Sequence, residues 1–588
     1  MRRFFMLEID LSNKKYKKVD VTEYFDNWLG GTGVATKLLS ECSNSEISPY
    51  SSKAPIIFAI GPLNNLFPVI TKTVCLFKSP LTNDLGESHA GGRLALAMYE
   101  AGFHAVKITG KSEKPTLLEI ENDIVRFHQA FSLKGMSALA THRVIRDRID
   151  SIGKRSIIRI GPAGERLSPI ACATVDSSRH FGRLGLGGVM GSKNLKAVVI
   201  SGNKYWSIEN KGKYTRLYNK LYKDVVGSDA MTKYHDLGTS MNVIPLNNIN
   251  GLPTRNFSQG YFEGAKIISG ESFANNNLAQ QIACAGCQIG CIHMATYREP
   301  FDEEHNMYKT TKVSYDYELI YALGTNLSID SKVMILKLLQ FIEKQGWDAI
   351  SMGVTLSWAT DSFQKGIITQ KQTNGLIINY GDGEVYLDVL KNIATGANEF
   401  YEDLEKGSYF CSKKYGNPED SIVFGKNEAP GYVTGVNAFL GFATGVRHSH
   451  LDSAGYSIDQ NLLKDSIERK TQVENLYNEA LWRMIFNSLV GCLFARKIYT
   501  RETVIEALEV IGLKGWNDDK LEHLSHRIHG LKYKFKIDNG FKFGEIQLPK
   551  KLLDVYTSNG KIDKSDFERG IDQYSEYIKN DIEYASNN

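Results

Sequence analysis

Three of the eight cysteines in this 588-residue chain lie within eight positions, in the stretch CAGCQIGC that contains Cys284, Cys287 and Cys291. Clustered thiolates bind zinc or an iron–sulfur cluster. Structural zinc usually takes two paired Cys-x-x-Cys motifs, and the sequence has no second pair. A four-iron cluster held by these three thiolates and one distant cysteine fits better. Gly286 and Gly290 allow the tight turns that direct backbone N–H groups at cluster sulfurs.

The fourth ligand must come from one of the other five cysteines. Cys492 is the best candidate, because it follows a helix-periodic segment and comes directly after Gly491, which exposes the backbone. Spacing alone leaves the choice open. The remaining cysteines are isolated and are interpreted as small buried hydrophobic residues: Cys42, Cys75, Cys172 and Cys411.

Composition indicates a globular chain of several domains. Hydrophobic residues make up 42% and aromatic residues 11%, and domains of about 150 residues predict two to four of them. The 70 basic and 66 acidic residues are intermixed, which does not favour nucleic-acid binding. No apolar run reaches the roughly 18 residues of a membrane span, and Glu8 and Asp10 interrupt the N-terminal apolar stretch. We expect no signal peptide, no membrane partner and a cytoplasmic location, where clustered thiols stay reduced.

The pattern of residues along the chain changes near residue 203. Before it, short strand-like runs such as APIIFAIGPL and LKAVVISG end at Gly or Pro, which predicts a β-rich domain. After it, long segments show helical periodicity. The predicted fold is α+β and multidomain: a β-rich domain (1–203), then two mainly helical domains (204–420 and 421–588). No internal repeat is evident.

Several blocks occur in the order found in one enzyme family: WLGGTGVATKLL, GPLNNL, KSPLTNDLGESHAGGR, AGFHAVKITGKSEKP, IGPAGE, GRLGLGGVMGSKNLKAVVISG, CAGCQIGC, YELIYALGTNLSID and GFATGVRHSHL. Over about residues 25 to 500 the chain resembles the tungsten-containing aldehyde:ferredoxin oxidoreductases. The resemblance implies a tungsten (or molybdenum) bis-pterin cofactor beside a [4Fe-4S] cluster, and an anaerobic way of life. It also implies that the β-rich first domain forms a base for the cofactor, with the two helical domains over it. It assigns the cluster to Cys284, Cys287, Cys291 and Cys492.

The family binds its two pterins with two copies of an Asp-x-x-Gly-Leu-Cys/Asp motif. The matching stretches here are EKQGWD (Glu343–Asp348) and NSLVGC (Asn487–Cys492). Glu343 lengthens the carboxylate of the motif, and Asn487 replaces it by a neutral amide that accepts fewer hydrogen bonds. The other motif residues carried over are Gly346, Asp348 and Gly491.

Residues near the pterin phosphates follow from the same resemblance. Lys72 stands where the family has an arginine, so a point charge replaces a bidentate group, whereas Arg179 and Arg183 remain to meet phosphate. The backbone carbonyls that hold a phosphate-bridging Mg²⁺ would belong to His89 and His180. The adjoining block contributes Gly91, Gly92 and Arg93.

The resemblance places Glu318 and His450 at the substrate. A carboxylate can activate water as a general base, and an imidazole can stabilise charge on a carbonyl oxygen. Without the resemblance, Glu318 reads as a capping or solvent-facing helix residue. His448 and His450 both lie in RHSH, and we prefer His450 because the next residue, Leu451, also fits.

The resemblance also bears on partners. The family's archetypal dimer uses a bridging metal held by Glu-x-x-His, but Lys337 and Gln340 stand here, so we expect no such bridge. Monomer, dimer or a complex with an electron-transfer subunit stay open. The predicted function is oxidation of an aldehyde to the acid, with electrons passed to ferredoxin or another iron–sulfur protein. The alternatives are the active-site subunit of a related aromatic acyl-thioester reductase and a non-catalytic iron–sulfur protein that has lost the pterin.

Overall fold

Two six-stranded β-sheets form the N-terminal region, in a computed structural model that describes residues 3–301 and 307–587. The strands of the first sheet are Phe5–Asp10 (β1), Lys15–Asp20 (β2), Ile56–Ala59 (β3), Thr73–Lys78 (β4), Leu85–Ala90 (β5) and Ala105–Thr109 (β6). Those of the second are Thr116–Glu121 (β7), Ile124–Gln129 (β8), Lys154–Ile160 (β9), Ala173–Val175 (β10), Arg179–Phe181 (β11) and Leu195–Gly202 (β12). The helices here are Thr22–Trp28 (α1), Gly31–Cys42 (α2), Leu94–Ala101 (α3), Ala138–Arg148 (α4), Pro162–Glu165 (α5) and Leu186–Ser192 (α6).

The two sheets have the same topology. Their strand orders are β2-β1-β6-β3-β4-β5 and β8-β7-β12-β9-β10-β11. In each, one pair is parallel (β1 with β6, β7 with β12) and every other pair is antiparallel. The N-terminal region is therefore an architectural duplication, which the sequence analysis did not recognise. Its sequence trace is Ile-Gly-Pro, which follows β3 at 60–62 and spans the end of β9 at 160–162.

The edge strands β5 and β11 contact each other, so the two sheets meet at their edges. An edge strand leaves part of its backbone N–H and C=O groups without a neighbouring strand. His89 lies on β5 and His180 on β11. His89 and His180 therefore lie on the two strands at which the sheets meet.

The following region, to about residue 420, is mainly helical. Its strands form one antiparallel sheet: Leu278–Ile282 (β13), Ile292–Pro300 (β14) and Tyr308–Tyr315 (β15). Its helices are Lys211–Val226 (α7), Asp229–Leu237 (α8), Val243–Asn248 (α9), Gly270–Asn276 (α10), Tyr317–Leu323 (α11), Lys332–Gln345 (α12), Ala349–Gln364 (α13), Gly383–Thr395 (α14), Glu399–Leu404 (α15) and Ser408–Tyr415 (α16).

The last region is also mainly helical. Its strands are Val423–Phe424 (β16), Asn427–Glu428 (β17), Tyr556–Thr557 (β18) and Gly560–Lys561 (β19). Its helices are Val436–Thr444 (α17), Gly455–Leu462 (α18), Arg469–Ser488 (α19), Arg501–Val510 (α20), Asp518–Asp538 (α21), Lys551–Asp554 (α22) and Lys564–Asn587 (α23).

The two predicted pterin motifs lie at the C-terminal ends of helices α12 and α19. Helix α12 begins where the Ser331 side chain accepts a hydrogen bond from Met334 N, and it ends at Gly346, whose φ of 79° favours glycine. Asp348 then caps α13 by accepting from Ile350 N. Helix α19 ends before Val490, which has a φ of 51°. Both motifs are thus sharp turns at helix C-termini.

One continuous apolar core runs from Phe4 near the first strand to Ile578 in the last helix. The β-rich region followed by helical regions confirms the predicted α+β class; the boundaries after residues 203 and 420 stay predictions. Within residues 3–301 and 307–587, no single helix is long and apolar enough to cross a bilayer. One bent pair, Tyr317–Leu327 with Lys332–Gln345, passes by length and composition alone.

Candidate cofactor site

The predicted cluster cysteines come together beside the first sheet. Gly92 N donates a hydrogen bond to Cys284 Sγ at 3.2 Å. Cys492 N donates to Val69 O at 3.0 Å, and Val69 N donates to Gly286 O at 3.2 Å. The backbone of Val69 thus joins the CAGCQIGC loop to the segment that carries Cys492.

The shifted pKa values of these thiols show that the thiols lie close to one another. Burial and the neighbouring Cys492 raise the pKa of Cys287 to about 11 and that of Cys291 to about 12. Burial would lower the pKa of Lys72, but Cys492, Cys284 and Cys291 raise it above its ordinary value. None of the eight cysteines, all in the described part of the chain, forms a disulfide. Such crowded thiols need positive charge to ionise, and Lys72 supplies one unit.

The residues fit an iron–sulfur cluster. Among the described residues, no three His, Cys, Asp or Glu side chains converge on a single metal ion. Cluster thiolates, in contrast, each bind a different iron. A Cβ at Gly91 would lie 2.7 Å from Cys284 Sγ and 3.0 Å from Lys72 Nζ, so only glycine fits beside the thiol. Four thiols within electrostatic reach of one another and of the buried Lys72 suit a multi-iron centre.

The two predicted pterin loops pack on the two sheets in the same way. A Cβ at Gly61 would lie 2.4 Å from Leu489 O, and one at Gly161 would lie 2.2 Å from Gln345 O. Both glycines belong to the repeated Ile-Gly-Pro, and neither approach tolerates a side chain. Each loop is therefore held against its sheet by direct backbone contact.

The hydrogen bonds repeat as well. Lys72 N donates to Val490 O at 3.0 Å, and Cys172 N donates to Gly346 O at 2.8 Å. Val490 is therefore the counterpart of Gly346, and Gly491 is the residue after it. A Cβ at Gly491 would lie 2.3 Å from the ring of Phe486. Asn487 is buried, 4% exposed.

An ion pair joins the EKQGWD loop to Arg183, which lies just after β11 of the second sheet. Arg183 Nε donates to Asp348 Oδ2 at 2.9 Å, and its Nη2 donates to Glu428 O at 2.8 Å. Arg179 bonds instead to Ser178 O at 2.6 Å and Ser314 Oγ at 3.2 Å. Each arginine thus has protein partners on some nitrogens, and Arg183 Nη1 has none in residues 3–301 and 307–587.

Glu343 lies in a strongly cationic setting. Burial raises its pKa to about 8, against the opposing influence of Arg179 and Arg159. Burial and the same two arginines lower the pKa of His180 to about 3. These four side chains therefore lie within electrostatic reach of one another.

Glu318 on α11 faces His450, which lies in the turn between α17 and α18. Glu318 Oε1 lies 3.6 Å from His450 Nδ1, and the side chains are 15% and 13% exposed. Glu318 Oε2 accepts a hydrogen bond from Gly431 N at 3.0 Å. Within the described chain, the two facing atoms have no hydrogen-bond partner. A small movement would let them share a proton, while the exposed parts of both side chains meet substrate.

Both groups are neutral near pH 7. Burial raises the pKa of Glu318 to about 8, and it lowers the pKa of His450 to about 3 with help from Arg183.

His448 has a different role: its Nδ1 lies 3.0 Å from Phe442 O and its Nε2 lies 3.1 Å from Lys536 Nζ. Its ring is fully engaged by protein, so His450 is the histidine beside Glu318.

The remaining predicted residues lie at the margins. The His89 ring bonds to Glu87 Oε1 at 2.8 Å, which leaves its backbone carbonyl as the group of interest. Arg93 is exposed, and its N–H donates to Asp176 Oδ2 at 3.0 Å. Tyr297 OH donates to Gln340 Oε1 at 2.9 Å on α12, so that side chain serves the fold.

Family models match nearly the whole chain. The model described as aldehyde ferredoxin oxidoreductase, N-terminal domain, matches residues 6–202, and that for domains 2 and 3 matches residues 216–579. The chain belongs to the aldehyde ferredoxin oxidoreductase family. The expected resemblance is confirmed, and the protein is an oxidoreductase. Membership implies a pterin cofactor and an iron–sulfur centre, and the thiol group and twin loops fit both.

Individual relatives agree with this assignment. The tungsten-containing aldehyde ferredoxin oxidoreductase of Pyrococcus furiosus is 32% identical over 73% of this chain and 70% of its own. That of Pyrococcus abyssi is 28% identical over 93% and 91%. In structure, the active site complex of benzoyl coenzyme A reductase with 1,5-dienoyl-CoA superposes with a TM-score of 0.81 over 98% of this chain and 95% of that one, at 19% identity. This last likeness concerns the fold.

Sequence reasoning missed several residues that shape the site. The signal for Gly61 and Gly161 is the Ile-Gly-Pro that occurs at both 60–62 and 160–162. Arg159 was signalled by its place inside the apolar run SIIRIGP. Gly431, which donates to Glu318, has no sequence signal, because only the tertiary fold brings it there.

Proposed function

We propose that this protein is a tungsten (or molybdenum) bis-pterin oxidoreductase that oxidises an aldehyde to the carboxylic acid. The supporting observation is the Glu318–His450 pair, whose facing atoms lie 3.6 Å apart beside partly exposed side chains. The printed names of the relatives support tungsten as the metal and an aldehyde as the substrate. When bound, the metal–pterin group supplies a two-electron acceptor.

The residues account for the rest of the reaction. An aldehyde and water become a carboxylic acid, and two protons and two electrons are released. Glu318, as carboxylate, takes a proton from the water oxygen that bonds to the carbonyl carbon. His450 is neutral because of its lowered pKa, so it donates one N–H to the carbonyl oxygen and stabilises charge there. Burial of both groups excludes bulk water and strengthens these interactions.

We further propose a [4Fe-4S] cluster on Cys284, Cys287, Cys291 and Cys492 that carries electrons to ferredoxin or a partner iron–sulfur subunit. The loop that carries three of these thiols reaches solvent, since Ala283 and Gly286 are exposed. A partner protein can therefore approach the cluster from outside. This exposure supports electron exit at this loop.

A Mg²⁺ that bridges the pterin phosphates is the remaining part of the proposal. Mg²⁺ prefers oxygen ligands, including backbone carbonyls. His89 and His180 lie on the touching edge strands β5 and β11. His89 and His180 thus come from opposite sheets at this contact, and their backbone carbonyls would supply oxygen ligands to the ion.

Anaerobic turnover of an aldehyde panel with an oxidised viologen dye tests the function. We expect dye reduction with aldehydes and production of the matching acid. Aryl acyl-thioesters with reduced dye test the reductase alternative in the same assay. Dye oxidation by the thioesters without aldehyde activity would replace the proposal by that alternative. No turnover with either substrate, in protein that contains iron but no pterin, would favour the iron–sulfur scaffold.

A further inference from the structure

Arg159 is a buried positive charge without a matching partner. It lies in β9 with 0% exposure, and its Nε donates to Ala138 O at 2.8 Å. Neither of its terminal nitrogens, Nη1 and Nη2, has a hydrogen-bond partner among the residues that the structure describes. A buried, unpaired charge destabilises a protein substantially. Such a residue persists where something outside the polypeptide compensates it.

Arg159 belongs to a polar row across the second sheet. It pairs in register with Thr174 on β10, and Thr174 pairs with His180 on β11. Directly paired residues point to the same face of a sheet. Thr174 Oγ1 is also buried. The row therefore leads from Arg159 to the edge strand at which the two sheets meet.

The first sheet carries a different row at the same positions. There, Ala59 on β3 pairs with Val74 on β4, and Val74 pairs with His89 on β5. The two inner positions are apolar in the first sheet but Arg and Thr in the second. Shared topology therefore does not require the buried arginine.

The groups facing Arg159 come from every element around it. Glu343 approaches from α12, Asp176 and Cys172 flank β10, and His142 approaches from α4. Burial lowers the pKa of Arg159 to about 10, and Asp176 opposes that change. Burial and Arg159 lower the pKa of His142 to about 3, so His142 adds no second charge. Glu343 is protonated near pH 7, because its pKa is about 8. The carboxyl group of Glu343 in the EKQGWD loop is therefore neutral and does not balance the positive charge of Arg159.

We propose that Arg159 is a positioning residue that supplies a buried positive charge to the second half of the site, where an anionic pterin phosphate group binds. Arg159 acts through space, along the row of Thr174 and His180, rather than by contact, because its guanidinium is fully buried. This inference rests on the proposed bis-pterin function. It explains how the second half retains an anionic cofactor although Arg183 is already engaged by Asp348.

The test compares Arg159→Met, which removes the charge, with Arg159→Lys, which keeps it. Arg126→Met is the matched control, since Arg126 lies on the same sheet in a partly exposed ion pair with Glu119. Each variant is purified anaerobically with cofactor and, from cells starved of pterin, without it. Pterin per chain after dialysis and the melting temperature of both forms are measured, together with the redox potential of the metal–pterin centre.

We expect opposite effects on the two forms. Arg159→Met should retain pterin at least tenfold less well than wild type. A tenfold ratio corresponds to about 1.4 kcal/mol of lost charge interaction. The redox potential of any metal–pterin centre that remains should be lower. The cofactor-free variant should melt at the same or a higher temperature, because an uncompensated charge is gone. Arg159→Lys should resemble wild type in pterin content.

Two results would overturn the inference. One is wild-type pterin content in Arg159→Met. The other is equal loss from the Met and Lys variants with a lower melting temperature of both cofactor-free forms, which would assign Arg159 to the bond with Ala138 alone. Wild-type protein that holds no pterin would instead refute the proposed function, so the two failures are distinguishable.

Discussion

The two sheets of the N-terminal region share one topology and hold similar helix-terminal loops, yet the loops end differently. The first sheet holds NSLVGC, which ends at Cys492 in the group of thiols around Lys72. The second holds EKQGWD, which ends at Asp348 in an ion pair with Arg183. The duplicated backbone thus supplies two equivalent binding loops. Under the proposed function, Cys492 at the end of the first loop serves electron transfer, and Asp348 at the end of the second loop lies on the substrate side.

The largest expected effect tests the electron-transfer half. Cys492→Ala should lose the cluster, so iron falls from about four per chain to nearly none. The matched change in the other half, Asp348→Ala, should keep the iron, although it breaks a buried ion pair and destabilises the fold by about 3–5 kcal/mol. Iron analysis and the visible spectrum measure both. A normal four-iron spectrum in Cys492→Ala would show that another cysteine is the fourth ligand.

The next effect tests the substrate half. Glu318→Gln should lower aldehyde oxidation by about 10²–10⁴-fold, the contribution of a general base, while tungsten and iron stay at wild-type levels. The glutamine oxygen can still accept from Gly431 N, so the fold is preserved. Because the pKa of Glu318 is about 8, the carboxylate fraction and the wild-type rate should rise as pH increases through 8. Full activity in the variant would exclude Glu318 as the base.

A pair of histidine variants tests which of the two imidazoles acts in the substrate half. His450→Gln should lower kcat by about 10²–10³-fold, as for loss of a donor to developing charge. His448→Gln should leave kcat near wild type and lower stability by about 1–3 kcal/mol, because a buried hydrogen bond to Lys536 is lost. Steady-state kinetics and thermal melts separate the two. Equal losses of kcat would contradict the assignment of His450.

The smallest effects probe the shared backbone. Gly61→Ala and Gly161→Ala should each destabilise the protein by about 1–3 kcal/mol and weaken pterin retention, because a Cβ would overlap a backbone carbonyl. Gly61→Ala should also lower iron content, since its neighbour Leu489 is close to Cys492. Gly544→Ala is the control, as no atom lies within 4 Å of its Cβ. Iron loss in Gly161→Ala as well would show that the halves are not separated as described.

The sequence predicted the fold class correctly. The strand-like runs before residue 203 and the helix-periodic segments after it could be recognised, because each depends on neighbouring residues. The duplication was missed because its signal, Ile-Gly-Pro at 60–62 and 160–162, is too short to stand out. The choice between His448 and His450 needed tertiary contacts, since Lys536 lies 88 residues beyond His448. Gly431 lies 113 residues from Glu318, and only folding brings them together.

Metal and pterin analysis of anaerobically purified wild-type protein tests the central claim most directly. Two equivalent loops and four grouped thiols predict about one tungsten or molybdenum, about two pterins and about four irons per chain. The cells should be supplied with both tungstate and molybdate. About four irons without tungsten, molybdenum or pterin would contradict the account and leave an iron–sulfur protein whose duplicated loops no longer hold a cofactor.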